Sequence, residues 1–257
     1  MKTRAALLLT LALARLTQAE IVTETVTYTQ DGATLEGAWV HDTTATGPRP
    51  AVIVFHQWGG PSDYEKARAK MLVEQGYIAF VADVYGQGIR PATFEERRTL
   101  ATVYYQDRPM VRARARAALD LVSADARVNA DRIAAIGYCF GGMVTLELAR
   151  DGAPIVAAVS IHGALNSPTP SDASNITAAV LVQHGGQDPY VPAEELAAFR
   201  AEMADGTVDA TITVYEAVHS FTDWNAGDDP TTGAAYNKAV DEASWKELTS
   251  FLGTKLR

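Results

Sequence analysis

The residues best suited to covalent chemistry lie in one short run, Gly137-Tyr138-Cys139-Phe140-Gly141-Gly142. The apolar stretch Ile133–Tyr138 reads as a buried strand and Met143–Arg150 as a helix, so Cys139 falls on the bend between them. A glycine two residues either side of a nucleophile at a strand-to-helix bend is the pattern of a nucleophile elbow, built more often around serine. Side chains at those glycine positions would collide with neighbouring backbone; without them, the strained turn lifts the sulfur above the sheet edge. The sulfur also meets a helix N-terminus, whose dipole favours thiolate. Cys139 is the single cysteine of the chain, which excludes an internal disulfide framework and a thiolate zinc cluster. The same motif also reads as an inert, buried cysteine in a glycine-rich turn.

A thiol nucleophile needs a base and an acid that orients the base, in chain order nucleophile, acid, base on such a scaffold. Asp188 lies in His184-Gly-Gly-Gln-Asp188-Pro, just past the apolar run Val180–His184. His219 lies in Glu216-Ala-Val-His219-Ser-Phe221, past the strand pattern Thr211–Tyr215. Both positions follow the carboxyl end of a strand, where open α/β sheets bind ligands. Taken singly, Asp188 also reads as a turn or capping residue before Pro189, and His219 as a loop histidine. His162 and His184 end strands too and stay open as bases, although His184, four residues from Asp188, reads better as loop packing. An ordinary imidazole base predicts activity that rises across roughly pH 6–7.5. The oxyanion formed by attack needs two backbone donors. These are expected from Phe140, at the helix start, and from Trp58 in the glycine-rich run His56-Gln57-Trp58-Gly59-Gly60, where Trp58 also reads as a pocket wall. Gln57, Tyr138 and Ser220, beside these groups, are the expected substrate contacts.

Alternation of strand and helix positions the motifs. Ile21–Tyr28 and Thr34–Val40 alternate about an Asp31-Gly32 turn and predict a hairpin. Ala51–His56 and Ile78–Val84 read as buried strands, with a helix between them opened by the capping box Ser62-Asp-Tyr-Glu65 and stopped at Gly76. A second capping box, Thr93-Phe-Glu-Glu96, opens another helix, which Pro109 separates from one over Met110–Ser123. Further strands are expected at Ile155–Ile161, Val180–His184 and Thr211–Tyr215, with helices at Glu194–Ala204 and about Ala234 to Leu252. Strands that read as continuous apolar runs are covered on both faces by helices, so the expected fold is a mostly parallel α/β sheet. There is no internal repeat and no composition break, and the Ser/Pro/Asn-rich stretch Asn166–Asn175 is the size of one loop.

The 257 residues carry a net charge of −9, with 47% hydrophobic and 21% charged residues. That composition excludes a mainly disordered or coiled-coil chain, and an acidic chain with no basic stripe excludes a nucleic-acid partner. Lys2 and Arg4 precede an apolar run from Ala5 to Ala14, and Thr17-Gln-Ala19 offers small residues where a signal peptidase reads. Residues 1–19 are therefore expected to be a secretory signal peptide, and 20–257 a single exported domain, periplasmic or secreted. Three basic residues and no acid leave with the leader, taking the net charge from −9 to −12. No later segment has the length of apolar sequence that spans a bilayer. No metal is implied, because His56, His162, His184 and His219 lack tight ligand spacing. No cofactor is implied either, since there is no phosphate loop or dinucleotide fingerprint.

These motifs resemble the dienelactone hydrolases (carboxymethylenebutenolidases) of the α/β-hydrolase superfamily. The resemblance rests on Gly-Tyr-Cys139-Phe-Gly-Gly, Gly-Gln-Asp188-Pro and Val-His219-Ser-Phe in that order, with Glu74-Gln-Gly-Tyr77 and Asp83-Val-Tyr85 before them, and spans about Ala51 to Leu252. It implies an α/β-hydrolase fold, with Cys139 as nucleophile, His219 as base and Asp188 as orienting acid. It also implies a thioester acyl-enzyme formed from a small ester or lactone. The chain departs from the family twice. Gln57 stands where the family has a glutamate that helps ionise the thiol, and Asp223 stands where a substrate-clamping arginine is expected. The second clamp arginine matches the region of Arg97 and Arg98, which read better as surface helix charges. A carboxylate at 223 would repel an anionic substrate, so a neutral ester or lactone is expected. The missing glutamate leaves a second reading, a thiol-based ligand-binding or redox-sensing protein without turnover. Oligomeric state is open.

Overall fold

A computed structural model describes residues 20–257. The expected signal segment lies outside the described residues.

The chain opens with an antiparallel hairpin, β1 (Ile21–Gln30) and β2 (Ala33–Asp42), paired from Ile21↔Asp42 to Gln30↔Ala33. Asp31 and Gly32 form its two-residue turn with φ of 47° and 76°. Positive φ at both positions is what the type I′ turn requires, and Asp-Gly supplies it at low cost. Six further strands follow: β3 (Arg49–Phe55), β4 (Ile78–Ala82), β5 (Val128–Tyr138), β6 (Ala157–Ile161), β7 (Ala179–Gly185) and β8 (Ala210–Tyr215). They form one eight-stranded sheet in the order β1-β2-β4-β3-β5-β6-β7-β8. β1 and β2 are antiparallel; β3 to β8 all run parallel. This is the mostly parallel α/β sheet expected from the strand pattern, in the α/β-hydrolase architecture that the resemblance implies.

Among the described residues six helices cover the sheet: α1 (Asp63–Glu74), α2 (Phe94–Gln106), α3 (Arg108–Ser123), α4 (Phe140–Arg150), α5 (Ala193–Asp205) and α6 (Lys238–Lys255). β3 shows how the faces divide. Ala51, Ile53 and Phe55 pack with residues of α2 to α5, whereas Val52 and Val54 pack with α1 and α6. Two apolar faces explain why the inner strands carry no polar alternation.

Several boundaries differ from the sequence reading, among them the start of β5, at Val128 rather than Ile133; three helix boundaries differ for a local reason. Pro109 does not separate α2 from α3; it lies in the first turn of α3, where its missing N–H costs nothing, behind the cap from Asp107 to the Met110 N–H (3.0 Å). α4 begins at Phe140 rather than Met143, directly off the bend. α6 begins at Lys238 rather than near Ala234, because Gly233–Ala235 pairs with backbone at His219 instead. The loop 166–175 holds a single short 3-10 turn, Pro170–Asn175.

Candidate active site

β5 ends at Tyr138 and α4 starts at Phe140, leaving Cys139 alone on the bend with φ 55° and ψ −117°. The reason for the flanking glycines is steric. A Cβ on Gly137 would run into the carbonyl of Gly141, and one on Gly141 into the carbonyl of Phe55. The Cys139 N–H is held by the Ile161 carbonyl (3.0 Å) and by Nδ1 of His162 (3.1 Å). His162 and Ser220 also have positive φ, 40° and 58°, so three of the five such non-glycine residues among those described gather here. Strain concentrated at strand ends is a mark of a functional site.

The side chains separated in sequence converge. His219 Nε2 lies 3.1 Å from Cys139 Sγ, and His219 Nδ1 lies 2.7 Å from Asp188 Oδ2. Asp188 Oδ1 accepts the Tyr190 N–H at 2.8 Å, so both carboxylate oxygens are committed. The Asp188 side chain is fully buried, His219 is 12% exposed and Cys139 is 9% exposed. Main-chain bonds also fix His219: its N–H donates to Gly233 and its carbonyl accepts from Ala235. Burial opposes a charged imidazole here. The negative charge of Cys139, together with the hydrogen bonds to Asp188 and Cys139, outweighs burial and raises His219 to about 10. The ring is therefore held in its protonated form across neutral pH.

The other two histidines that end strands are engaged differently. Nδ1 of His162 accepts a backbone N–H, so Nε2 carries the hydrogen and donates to Thr222 Oγ1 at 2.8 Å. Burial, and next the charge of His219, hold His162 well below the ordinary imidazole range. Neither ring nitrogen of His162 is left to take a proton from the sulfur. His184 is buried, and burial likewise lowers it.

The loop after β3 supplies the facing wall. The Gln57 N–H donates to Glu65 Oε1 (3.0 Å), while the Trp58 N–H forms no hydrogen bond among the described residues. Phe140, first residue of α4, has no acceptor within its own helix for its N–H. These are the two backbone donors expected from the sequence. The carbonyls around Trp58 are tied down: His56 Nδ1–H donates to Gln57 O (2.6 Å), Gly60 N–H to the same oxygen (3.1 Å), and the Tyr85 hydroxyl to Trp58 O (3.1 Å).

The Gln57 side chain reaches Asp223, with Nε2 donating to Oδ2 at 2.9 Å. Ser220 is buried, its carbonyl accepts the Asp223 N–H, and its hydroxyl has no hydrogen bond among the described residues. Tyr138 departs from the expectation that it contacts substrate. Alternation along β5 sends it to the face opposite Cys139, 1% exposed and edge-on to Tyr64 at 5.2 Å. Arg98 is on the surface and pairs with Glu95 (3.0 Å), as expected; Arg97 is only half-exposed and lies against Gly59 of the loop. Around this centre sit aromatic rings: Tyr190 lies edge-on to His219 at 5.3 Å and Phe94 edge-on to Trp58 at 5.2 Å. Phe94, Tyr190 and Trp224 remain 64%, 57% and 41% exposed.

Sequence reasoning missed Glu65, which was legible only as a helix cap. Its Oε2 accepts the Ser62 N–H (2.9 Å) and hydroxyl (2.6 Å), completing the capping box, while Oε1 holds the Gln57 amide. It missed Thr222 as well, and it read Tyr85 only within the Asp83-Val-Tyr85 element, because the contacts of both cross many residues.

The sequence model of the dienelactone hydrolase family matches residues 35–256. A homologue in Escherichia coli strain K12, named as a carboxymethylenebutenolidase, is 30% identical over 214 residues, covering 79% of this chain and 76% of that protein. The crystal structure of a dienelactone hydrolase-like promiscuous phosphotriesterase from metagenomic libraries superposes with a TM-score of 0.87 at 36% identity, covering 93% of this chain and all of that one. A dienelactone hydrolase from Anabaena variabilis shares the fold at 19% identity, with a TM-score of 0.69 over 92% of this chain and 99% of that one. With its elbow, its strand order and this match over nearly the whole described length, the chain belongs to the dienelactone hydrolase family of ester and lactone hydrolases.

Proposed function

We propose that the protein hydrolyses a neutral carboxylic ester or lactone through Cys139, His219 and Asp188 by way of a thioester. The observation that carries this reading is the unbroken hydrogen-bonded line Sγ–Nε2, Nδ1–Oδ2 at 3.1 and 2.7 Å. Cys139 Sγ attacks the carbonyl carbon, and the carbonyl π electrons move to oxygen, where the Trp58 and Phe140 N–H groups receive the charge. The tetrahedral intermediate collapses, the C–O bond breaks, and the alkoxide leaves with the proton from His219 Nε2. His219, now neutral, takes a proton from water, and hydroxide adds to the thioester carbonyl. Collapse expels the thiolate, the imidazolium re-forms beside it, and the acid is released. Asp188 keeps the ring oriented and favours its protonated form throughout.

Two features support a neutral substrate. Asp223 stands where the family resemblance places a clamping arginine, and the exposed rings of Phe94, Tyr190 and Trp224 give the rim apolar surface. The metagenomic relative is described as acting on phosphotriesters, so that neutral class belongs in the same panel. Turnover of 4-nitrophenyl acetate, neutral lactones, an anionic dienelactone and a phosphotriester, by wild type and Cys139→Ala, tests the reading. It holds if neutral esters or lactones are preferred and Cys139→Ala loses turnover, and fails if Cys139→Ala keeps full turnover. Export and removal of residues 1–19, resting on the leader-like pattern from Lys2 to Ala19, belong to the same proposal. N-terminal sequencing of protein secreted by an expressing cell tests them, with Glu20 as the expected first residue. The catalytic unit is then residues 20–257 acting on a small molecule, with no nucleic-acid or membrane partner required.

A further inference from the structure

We infer that His56 is a positioning residue that couples the two halves of the oxyanion hole, fixing the direction of the peptide plane that presents the Trp58 N–H. This rests on the hydrolytic reading above.

His56 is fully buried. Its Nε2 accepts the Val84 N–H at 3.1 Å. A backbone amide only donates, so Nε2 is unprotonated and the ring hydrogen is on Nδ1. That hydrogen points at Gln57 O, 2.6 Å away. The Gln57 carbonyl and the Trp58 N–H are the two ends of one peptide plane. A donor at the oxygen end both fixes the plane and polarises it, making the N–H at the other end a stronger donor. The Gly60 N–H reaches the same oxygen at 3.1 Å and acts in the same sense. The other face of the imidazole is engaged too. It stacks on the Phe140 ring, with centroids 5.7 Å apart and planes 18° apart. Phe140 provides the second N–H. One side chain therefore bonds the peptide of the first donor and packs on the residue of the second.

The anchor of this arrangement is β4. Val84 lies two residues past the end of that strand, and β4 pairs in parallel with β3 up to Phe55↔Ala82. His56 thus transmits the register of two adjacent strands to a loop whose glycines would otherwise leave it free. Nothing in this role touches the sulfur: among the described residues His56 makes no hydrogen bond to Cys139, His219 or Asp188.

Two polar substitutions separate the role from general packing. His56→Asn keeps an N–H donor near the Nδ1 position, whereas His56→Gln places its amide near Nε2, where it can still meet the Val84 N–H but no longer reaches Gln57 O. Turnover of 4-nitrophenyl acetate is measured for each, together with the rate of Cys139 alkylation by iodoacetamide. Alkylation reports the thiolate and needs no oxyanion hole. The expected result is an Asn variant within about threefold of wild-type kcat and a Gln variant lowered about tenfold or more. KM and the alkylation rate stay close to wild type in both. The expected loss is smaller than the hundredfold or more that deleting a donor outright costs, since the donor itself remains. Equal kcat for the two variants, or hydrolysis and alkylation falling in parallel, overturns the inference. Wild-type protein that turns over no ester overturns the hydrolytic reading, and this inference with it; an active wild type with an unimpaired Gln variant overturns this inference alone.

Discussion

Gln57 donates its side-chain amide to the carboxylate of Asp223 at 2.9 Å, although 166 positions separate them. These are the two positions at which the family resemblance implies a glutamate and an arginine, and they are each other's partners. A glutamate at 57 would set a second carboxylate against Asp223 in a half-buried site, where like charges disfavour one another strongly. An arginine at 223 would instead suit a glutamate at 57. The two positions therefore act as one coupled pair, joined here by a neutral-to-acid hydrogen bond.

The coupling predicts non-additive mutants. Gln57→Glu alone is expected to lower activity and stability, and adding Asp223→Arg to restore much of both, with a coupling energy of about 1–3 kcal/mol. The double variant should also gain activity on an anionic lactone relative to a neutral ester. A double-mutant cycle on unfolding free energy and on kcat/KM for both substrates checks this. Additive effects of the two changes contradict it.

The pH profile differs from what an isolated histidine would give. An ordinary imidazole predicts a rise across roughly pH 6–7.5, but His219 is raised to about 10 because the charge of Cys139 and its hydrogen bonds to Asp188 and Cys139 outweigh burial. A raised value keeps the imidazolium present through neutral pH and loses it as pH climbs toward 10. Activity should accordingly show no His219-driven rise between pH 6 and 7.5, and should fall on the alkaline side as the leaving group loses its proton donor. Asp188→Asn removes one of the upward influences, so the alkaline fall should move to lower pH. NMR titration of the His219 ring in both proteins, beside their pH–rate curves, reads this directly. A wild-type ring that titrates near 6.5 contradicts it.

Stability beneath the elbow depends on buried charge. Arg150, on α4 and without exposure, bonds Glu202 of α5 at 2.7 and 2.9 Å, Glu147 at 3.1 Å and the Leu165 carbonyl at 2.8 Å. Arg112 reaches the same Glu147 at 2.7 Å. Removing one partner of such a set leaves an uncompensated buried charge, which costs about 3–5 kcal/mol. Arg150→Met should lose that much in urea unfolding, whereas Arg98→Met, whose pair with Glu95 is exposed, should leave the unfolding midpoint close to wild type. Equal losses would contradict the assignment.

Much of this was readable from residue order because the deciding signals are local. The elbow needs two glycines at fixed spacing about Cys139, and Asp31-Gly32 sets its hairpin by φ alone. Other features depend on pairing across the chain. Gly233–Ala235 reads as the start of a helix until it is seen to hold the backbone of His219. Tyr138 adjoins the nucleophile in sequence, yet strand alternation turns it to the other side of the sheet. Glu65 reads as one half of a helix cap, and only the fold brings the Gln57 amide to its free oxygen. His56, unremarkable as a strand end, acquires its partner at Val84 only once β3 and β4 lie side by side.

The measurement that bears most directly on the sulfur held beside His219 is mass spectrometry of protein quenched in acid during turnover of 4-nitrophenyl acetate. One acetyl group on the peptide that contains Cys139, formed within the burst and lost as substrate is exhausted, is the predicted result. Full turnover with that peptide unmodified throughout, or an unchanged burst from Cys139→Ala, would contradict it.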